Sequence, residues 1–137
     1  MSEIPQRLTE LESLLMNIVW ELGEVTVRDV HKRIKPIRDL AYTTVLTMMG
    51  VMERKGLVTH QKRGRANVYR ARLSKQAFGA MSAKQIVDSY FQGRVRNLVL
   101  HFADHGDLGH DDIAALERVI EEAKARQVSH ADDSERD

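Results

Sequence analysis

The sequence predicts a mainly α chain with one small antiparallel β-hairpin, on three observations. Apolar residues recur at helical spacing in three short stretches before residue 56, each bounded by start and stop signals. The period then changes between residues 57 and 72, where two short β-prone runs flank Arg63-Gly64-Arg65-Ala66. Helical spacing returns at Ser74 and continues to Ile120. With 137 residues, two prolines and 5% aromatic residues, the chain can form one cored domain with an appended subdomain, and its composition favours helix.

Thr9 and Glu12 have the spacing of a capping box, so the first helix starts there; Leu11, Leu14, Leu15, Ile18, Val19 and Leu22 form its apolar face, and Gly23 stops it. Thr26 and Asp29 repeat the start signal. Val27, Val30 and Ile34 then make a short stripe that ends near Lys35, because Pro36 disfavours helix in its predecessor. A third helix runs from about Ala41 with Val45, Met48, Met49 and Met52 inward, and Gly56 follows Arg54 and Lys55 as its stop. The hairpin pairs residues 57–62 with 67–72 and has a basic tip whose glycine suits a positive φ. Trp20 is expected to anchor the first helix against the hairpin or the third helix. Beyond Ser74 the apolar residues fall in three groups, broken at Gly93 and at Gly106 and Gly109. The organisation expected is a domain of three helices and a hairpin over residues 1–73, a second helical region over 74–127 and a disordered acidic tail over 128–137.

The overall balance of +1 conceals a strong asymmetry. Residues 1–25 carry one base and five acids, residues 26–72 carry twelve bases and three acids, and residues 73–137 carry eight bases and twelve acids. The middle window therefore stands at +9, flanked by segments at −4 each. The absence of cysteine excludes disulfides, thiolate nucleophiles and cysteine-based metal sites. No Gly-x-Ser-x-Gly, P-loop or paired-carboxylate arrangement is present, so no enzymatic activity and no cofactor are expected. The chain has no signal-like start and no apolar run of membrane-spanning length, which makes a cytoplasmic protein without membrane contact the expectation. His101 and His105 share a helical face, with Asp104 beside them and His110, Asp111 and Asp112 after the turn. Without a catalytic Glu between the histidines that pattern is weak, and no metal is expected.

Three short helices followed by a hairpin is the order of a winged helix-turn-helix, and the +9 window runs from the second helix through the hairpin. Clustered Lys and Arg gain free energy on duplex DNA by releasing condensed counterions. If Val45, Met48 and Met52 face inward, Thr43, Leu46, Thr47 and Gly50 face outward, with Tyr42 and Thr44 in the first turn. Threonine can bond a base edge or touch a thymine methyl, and Tyr42 can bond a phosphate. Tyr42, Thr43, Thr44, Leu46, Thr47, Arg54, Arg63 and Arg65 are the expected DNA contacts, the two hairpin arginines gripping the backbone. Two blander roles compete: Tyr42 and Thr43 as caps of the third helix, and the whole module as an adaptor that docks a protein without touching DNA.

The C-terminal helices are too short to wrap a core of their own, so burial against a second copy is expected at Tyr90, Phe91, Val95, Leu98, Val99, Phe102, Ile113, Leu116 and Ile120. A twofold dimer would set two recognition helices about 34 Å apart, or a multiple of it, on inverted half-sites.

Residues 39–45 (Asp-Leu-Ala-Tyr-Thr-Thr-Val), 53–58 (Glu-Arg-Lys-Gly-Leu-Val), 64–69 (Gly-Arg-Ala-Asn-Val-Tyr) and 97–102 (Asn-Leu-Val-Leu-His-Phe) occur in the same order and at similar spacings as in the penicillinase repressor (BlaI/MecI) family, which the chain resembles from about residue 7 to 125. The resemblance implies a homodimeric repressor on a palindromic double-stranded operator. It also implies release by a regulatory protease that cuts between an Asn and a Phe; the matching positions are His101 and Phe102, the first a departure. Gly50 and Val51 depart as well, where polar and basic residues are the family's pattern.

Overall fold

Two threonines set the first two helices. The Thr9 hydroxyl accepts the Glu12 N–H at 3.2 Å while the Glu12 carboxylate accepts the Thr9 N–H at 2.9 Å. Thr26 and Asp29 repeat the exchange at 3.1 and 2.9 Å. In the computed structural model, which describes residues 7–135 and side chains to residue 129, these caps open α1 (Glu10–Leu22) and α2 (Val27–Ile34). The third helix, α3 (Tyr42–Arg54), starts at Ala41 with no side-chain cap. Tyr42 and Thr43 are therefore not spent on capping.

A three-stranded antiparallel sheet completes the first part of the chain, in the order β1 (Glu24–Val25), β3 (Ala66–Ala71), β2 (Val58–Arg63). The β2–β3 hairpin runs from Val58 opposite Ala71 to Arg63 opposite Ala66. Gly64 and Arg65 alone connect it, with φ +63° at the glycine, the first central position of a tight hairpin turn that matches strand twist. The third strand is absent from the sequence reading. β1 pairs Glu24 with Arg70 and Val25 with Tyr69, and two residues are too few to display an alternating pattern.

One core joins these elements: Leu15 and Val19 from α1, Val30 and Ile34 from α2, and Val45, Met49 and Met52 from α3 are fully buried, with Val58 and Tyr69 closing it from the sheet. Trp20 packs elsewhere than expected. Its Nε1 donates to the Leu73 carbonyl at 2.9 Å and its ring lies 5.8 Å from Phe78 of α4 (Lys75–Tyr90), so it secures the exit from the hairpin. Phe78 and Met81 join the same core, and the chain divides by compactness within α4, into Met1–Ile86 and Val87–Asp137.

The second unit holds the end of α4, then α5 (Val95–Asp104) and α6 (His110–Glu135). Helix α6 continues where a disordered tail was expected from residue 128. No Gly or Pro follows Gly109, so no helix breaker interrupts residues 128–135, although Val, Ser, His and Asp, weaker helix formers than Ala, predominate there. Residues 136 and 137 of that expected tail lie outside the described residues.

The one buried charged side chain among the described residues is Glu12, 1% exposed. Lys55, at the end of α3, donates from Nζ to its Oε2 at 2.8 Å. Burial by itself would raise this carboxyl's pKa, but hydrogen bonds from Lys55 and Thr9, with the Lys55 charge, outweigh it and hold the group below its ordinary value of 4.5. The resulting stabilisation is complete above that value and disappears as pH falls through the lowered one. Glu12→Gln keeps an acceptor for Thr9 and removes the charge. It should cost about 1 kcal/mol at pH 7, a small figure because Lys55 is half open to water. In chemical unfolding followed at pH 7 and again near pH 3 (about a unit below the carboxylate range), the gap from wild type should narrow at the lower pH; a gap of constant size would contradict the assignment.

Candidate nucleic-acid interface

Burial of Val45, Met49 and Met52 at positions i, i+4 and i+7 fixes the rotation of α3. Tyr42, Thr43, Thr44, Leu46 and Thr47 are consequently exposed, as the sequence predicts, with Tyr42 at 46% and Leu46 at 45%. Met48 is half-buried and packs against the core, and Met49 beside it is fully buried. Farther along, Gly50 is half-buried, and a Cβ there would meet Nη1 of Arg54 at 3.9 Å, so the arginine lies back over the third turn of α3.

Folding brings two further segments to this face. The amino end of α2 and the hairpin turn meet the first turns of α3 in a groove lined by Thr26, Arg28, Tyr42, Leu46, Arg65 and Asn67. Arg28 and Asn67 escaped the sequence reading as individuals. Arg28 is one of twelve bases in the window and Asn67 one of six residues in the second hairpin run, and only the tertiary approach of α2 to the turn singles them out.

The basic window is sorted by pairing with the acidic amino-terminal segment. Glu10 binds Arg38 at 2.9 Å, Glu12 binds Lys55, Glu21 binds Arg33, and Glu24 binds Arg63. Arg63 and Arg65, interchangeable in sequence, thus differ in structure. Nη1 and Nη2 of Arg63 donate to the Glu24 carboxylate at 2.7 and 2.9 Å, and the Arg63 hydrogen bond holds Glu24 below the usual carboxylate range. Without DNA, the Arg63 fork is engaged by a partner on β1, the strand the sequence did not reveal, in a pair open to solvent. Arg28 and Arg65 have no carboxylate partner among the described residues and stand exposed on the groove. Behind it, burial, with the nearby Glu53 and Tyr42 adding to the effect, raises the Tyr69 pKa and keeps its phenol neutral.

The second unit presents apolar surface. Tyr90 is 68% and Val95 64% exposed; Val99, Phe102, Ile113 and Ile120 are exposed too, and Phe91, Leu98 and Leu116 are half-buried. In α5 no residue is buried. His101 and His105 stack with ring centroids 4.1 Å apart, and His105 Nδ1 lies 2.8 Å from the His101 carbonyl oxygen. Among the described residues no three His, Asp or Glu side chains gather to hold a metal ion, and no helix is long and apolar enough to cross a membrane.

Residues 8–122 match the penicillinase repressor family profile. The penicillinase repressor of Bacillus licheniformis is 24% identical over 127 residues, covering 93% of this chain and 98% of that protein. The transcriptional regulator BlaI of Mycobacterium tuberculosis is 31% identical over 121 residues, covering 87% and 86%. The solution structure of the DNA-binding domain of the repressor BlaI aligns with 55% of this chain and 90% of that one, at 25% identity and a TM-score of 0.49. With a family match that spans most of its length, the chain belongs to the penicillinase repressor family.

Proposed function

We propose that the protein is a homodimeric transcriptional repressor that binds a palindromic operator, with α3 in the major groove and the hairpin turn on the flanking backbone. The observation that carries this reading is the groove in which Arg28 and Arg65, neither neutralised by a carboxylate, flank the exposed first turns of α3. A strand of phosphates is complementary to that charge. Thr43, Thr44 and Thr47 offer hydroxyls and methyls to base edges beside it, and Leu46 an apolar contact. Arg54 is farther from the leading turn and serves the backbone. Replacing Thr43 and Thr47 by Ala should reduce discrimination between operator and random duplex, by about 1–3 kcal/mol per lost base contact. Arg65→Ala should weaken binding to both duplexes and lower the salt slope by about one. Fluorescence anisotropy across a salt series reads both. Equal losses on both duplexes for all these changes would contradict the division of roles, and no binding even at low salt would favour the protein-docking adaptor.

The dimer rests on the exposed apolar residues of α5 and α6 and places two half-site readers on one duplex. Linked readers bind far more tightly than single ones, so a charge set into this surface should act on DNA from a distance. Ile120→Glu is expected to shift the protein toward monomer in sedimentation equilibrium and to lower operator affinity at least tenfold (roughly). Full dimerisation with normal affinity would count against these contacts.

Induction by a regulatory protease acting between His101 and Phe102 belongs to the same reading. Both side chains are exposed, but the bond lies inside α5, so that helix must open before an extended cleavage site exists. A cut there would divide the dimerising segment. Immunoblots of induced cells should show fragments; transcription that rises while only full-length protein persists would contradict cleavage.

A further inference from the structure

Helix α3 begins without a side-chain cap, so something else must hold its first turn against α2. His31 of α2 does so. Its Nε2 lies 2.9 Å from the Leu40 carbonyl oxygen, nine residues on, at the end of the connection between the two helices. A carbonyl oxygen can only accept, so Nε2 carries the proton and donates it. The same imidazole meets the Tyr42 ring in a T-shaped contact, with centroids 5.7 Å apart and planes at 87°. Leu40 itself packs against the core, so its carbonyl is a fixed anchor. One half-buried side chain therefore ties the end of the connection to α2 and steadies the exposed ring of the first residue of α3.

We propose that His31 is a positioning residue for nucleic-acid binding, holding Tyr42 in the pose from which its phenol reaches a phosphate. The inference rests on the reading of α3 as the DNA-contacting helix. His31 need not touch DNA: its contribution passes through the backbone at Leu40 and the ring of Tyr42. Gln extends an amide N–H to nearly the reach of Nε2 and so restores the hydrogen bond without the ring contact, whereas Leu restores neither.

The test is a double-mutant cycle on a duplex from the upstream region of the protein's own gene, measured with the full chain well below its unfolding temperature. His31→Leu should weaken binding about tenfold, the scale of one structural hydrogen bond, and His31→Gln should recover part of that loss. In a Tyr42→Ala background the His31→Leu change should cost less than about twofold, because coupled residues are not additive. The Tyr42 ring-proton resonances of the DNA-free protein should also move in His31→Leu. Equal losses in both backgrounds, or unmoved Tyr42 resonances, would overturn the positioning role while leaving the DNA reading intact. A wild-type protein that fails to bind any duplex would overturn the DNA reading itself, and with it this role.

Discussion

The interface depends on the seating of one helix. Val45, Met49 and Met52 bury one side of α3 completely, each side chain contributing about 1.5–3 kcal/mol, and any rotation of the helix would expose apolar surface and bury threonine hydroxyls without partners. That constraint decides which residues face outward. Glu12 and Lys55 add a restraint at the far end of the helix, through a carboxylate that also closes the cap of α1. The same glutamate thus links the first turn of α1 to the end of α3.

Charge is the second organising feature. A chain with almost no net charge acquires a basic surface because its amino-terminal acids fold onto particular bases and leave others open. Glu10, Glu21 and Glu24 meet Arg38, Arg33 and Arg63 in exposed pairs that contribute little to stability. Their larger effect is selective neutralisation. By engaging Arg63, Glu24 leaves Arg65 as the cation of the hairpin turn, next to Arg28 across the groove. The contrast between two arginines two residues apart arises from a strand of two residues.

Much of this was legible before any coordinates. The capping pairs Thr9–Glu12 and Thr26–Asp29, the glycine of the hairpin turn and the outward Thr43, Leu46 and Thr47 of α3 follow from local rules and appear where those rules place them, whereas Gly50, expected outward, is half-buried. What escaped the sequence depends on distant partners. β1 is too short for periodicity, Trp20 chooses Leu73 and Phe78 across more than fifty residues, and Arg28 and Asn67 become neighbours of Tyr42 only after the hairpin folds beside α2. The continuation of α6 to Glu135 has a different origin: sparse apolar content and abundant Asp and Ser favour disorder by composition, but no Gly or Pro interrupts the helix.

The most direct test of the account is residue-resolved NMR of the protein during titration with duplex DNA. Amide resonances of Thr26 to Arg28, Tyr42 to Thr47 and Gly64 to Asn67 should shift together, while those of α5 and α6 stay in place. Shifts confined to α5 and α6, or scattered over the surface without touching the first turns of α3, would contradict it.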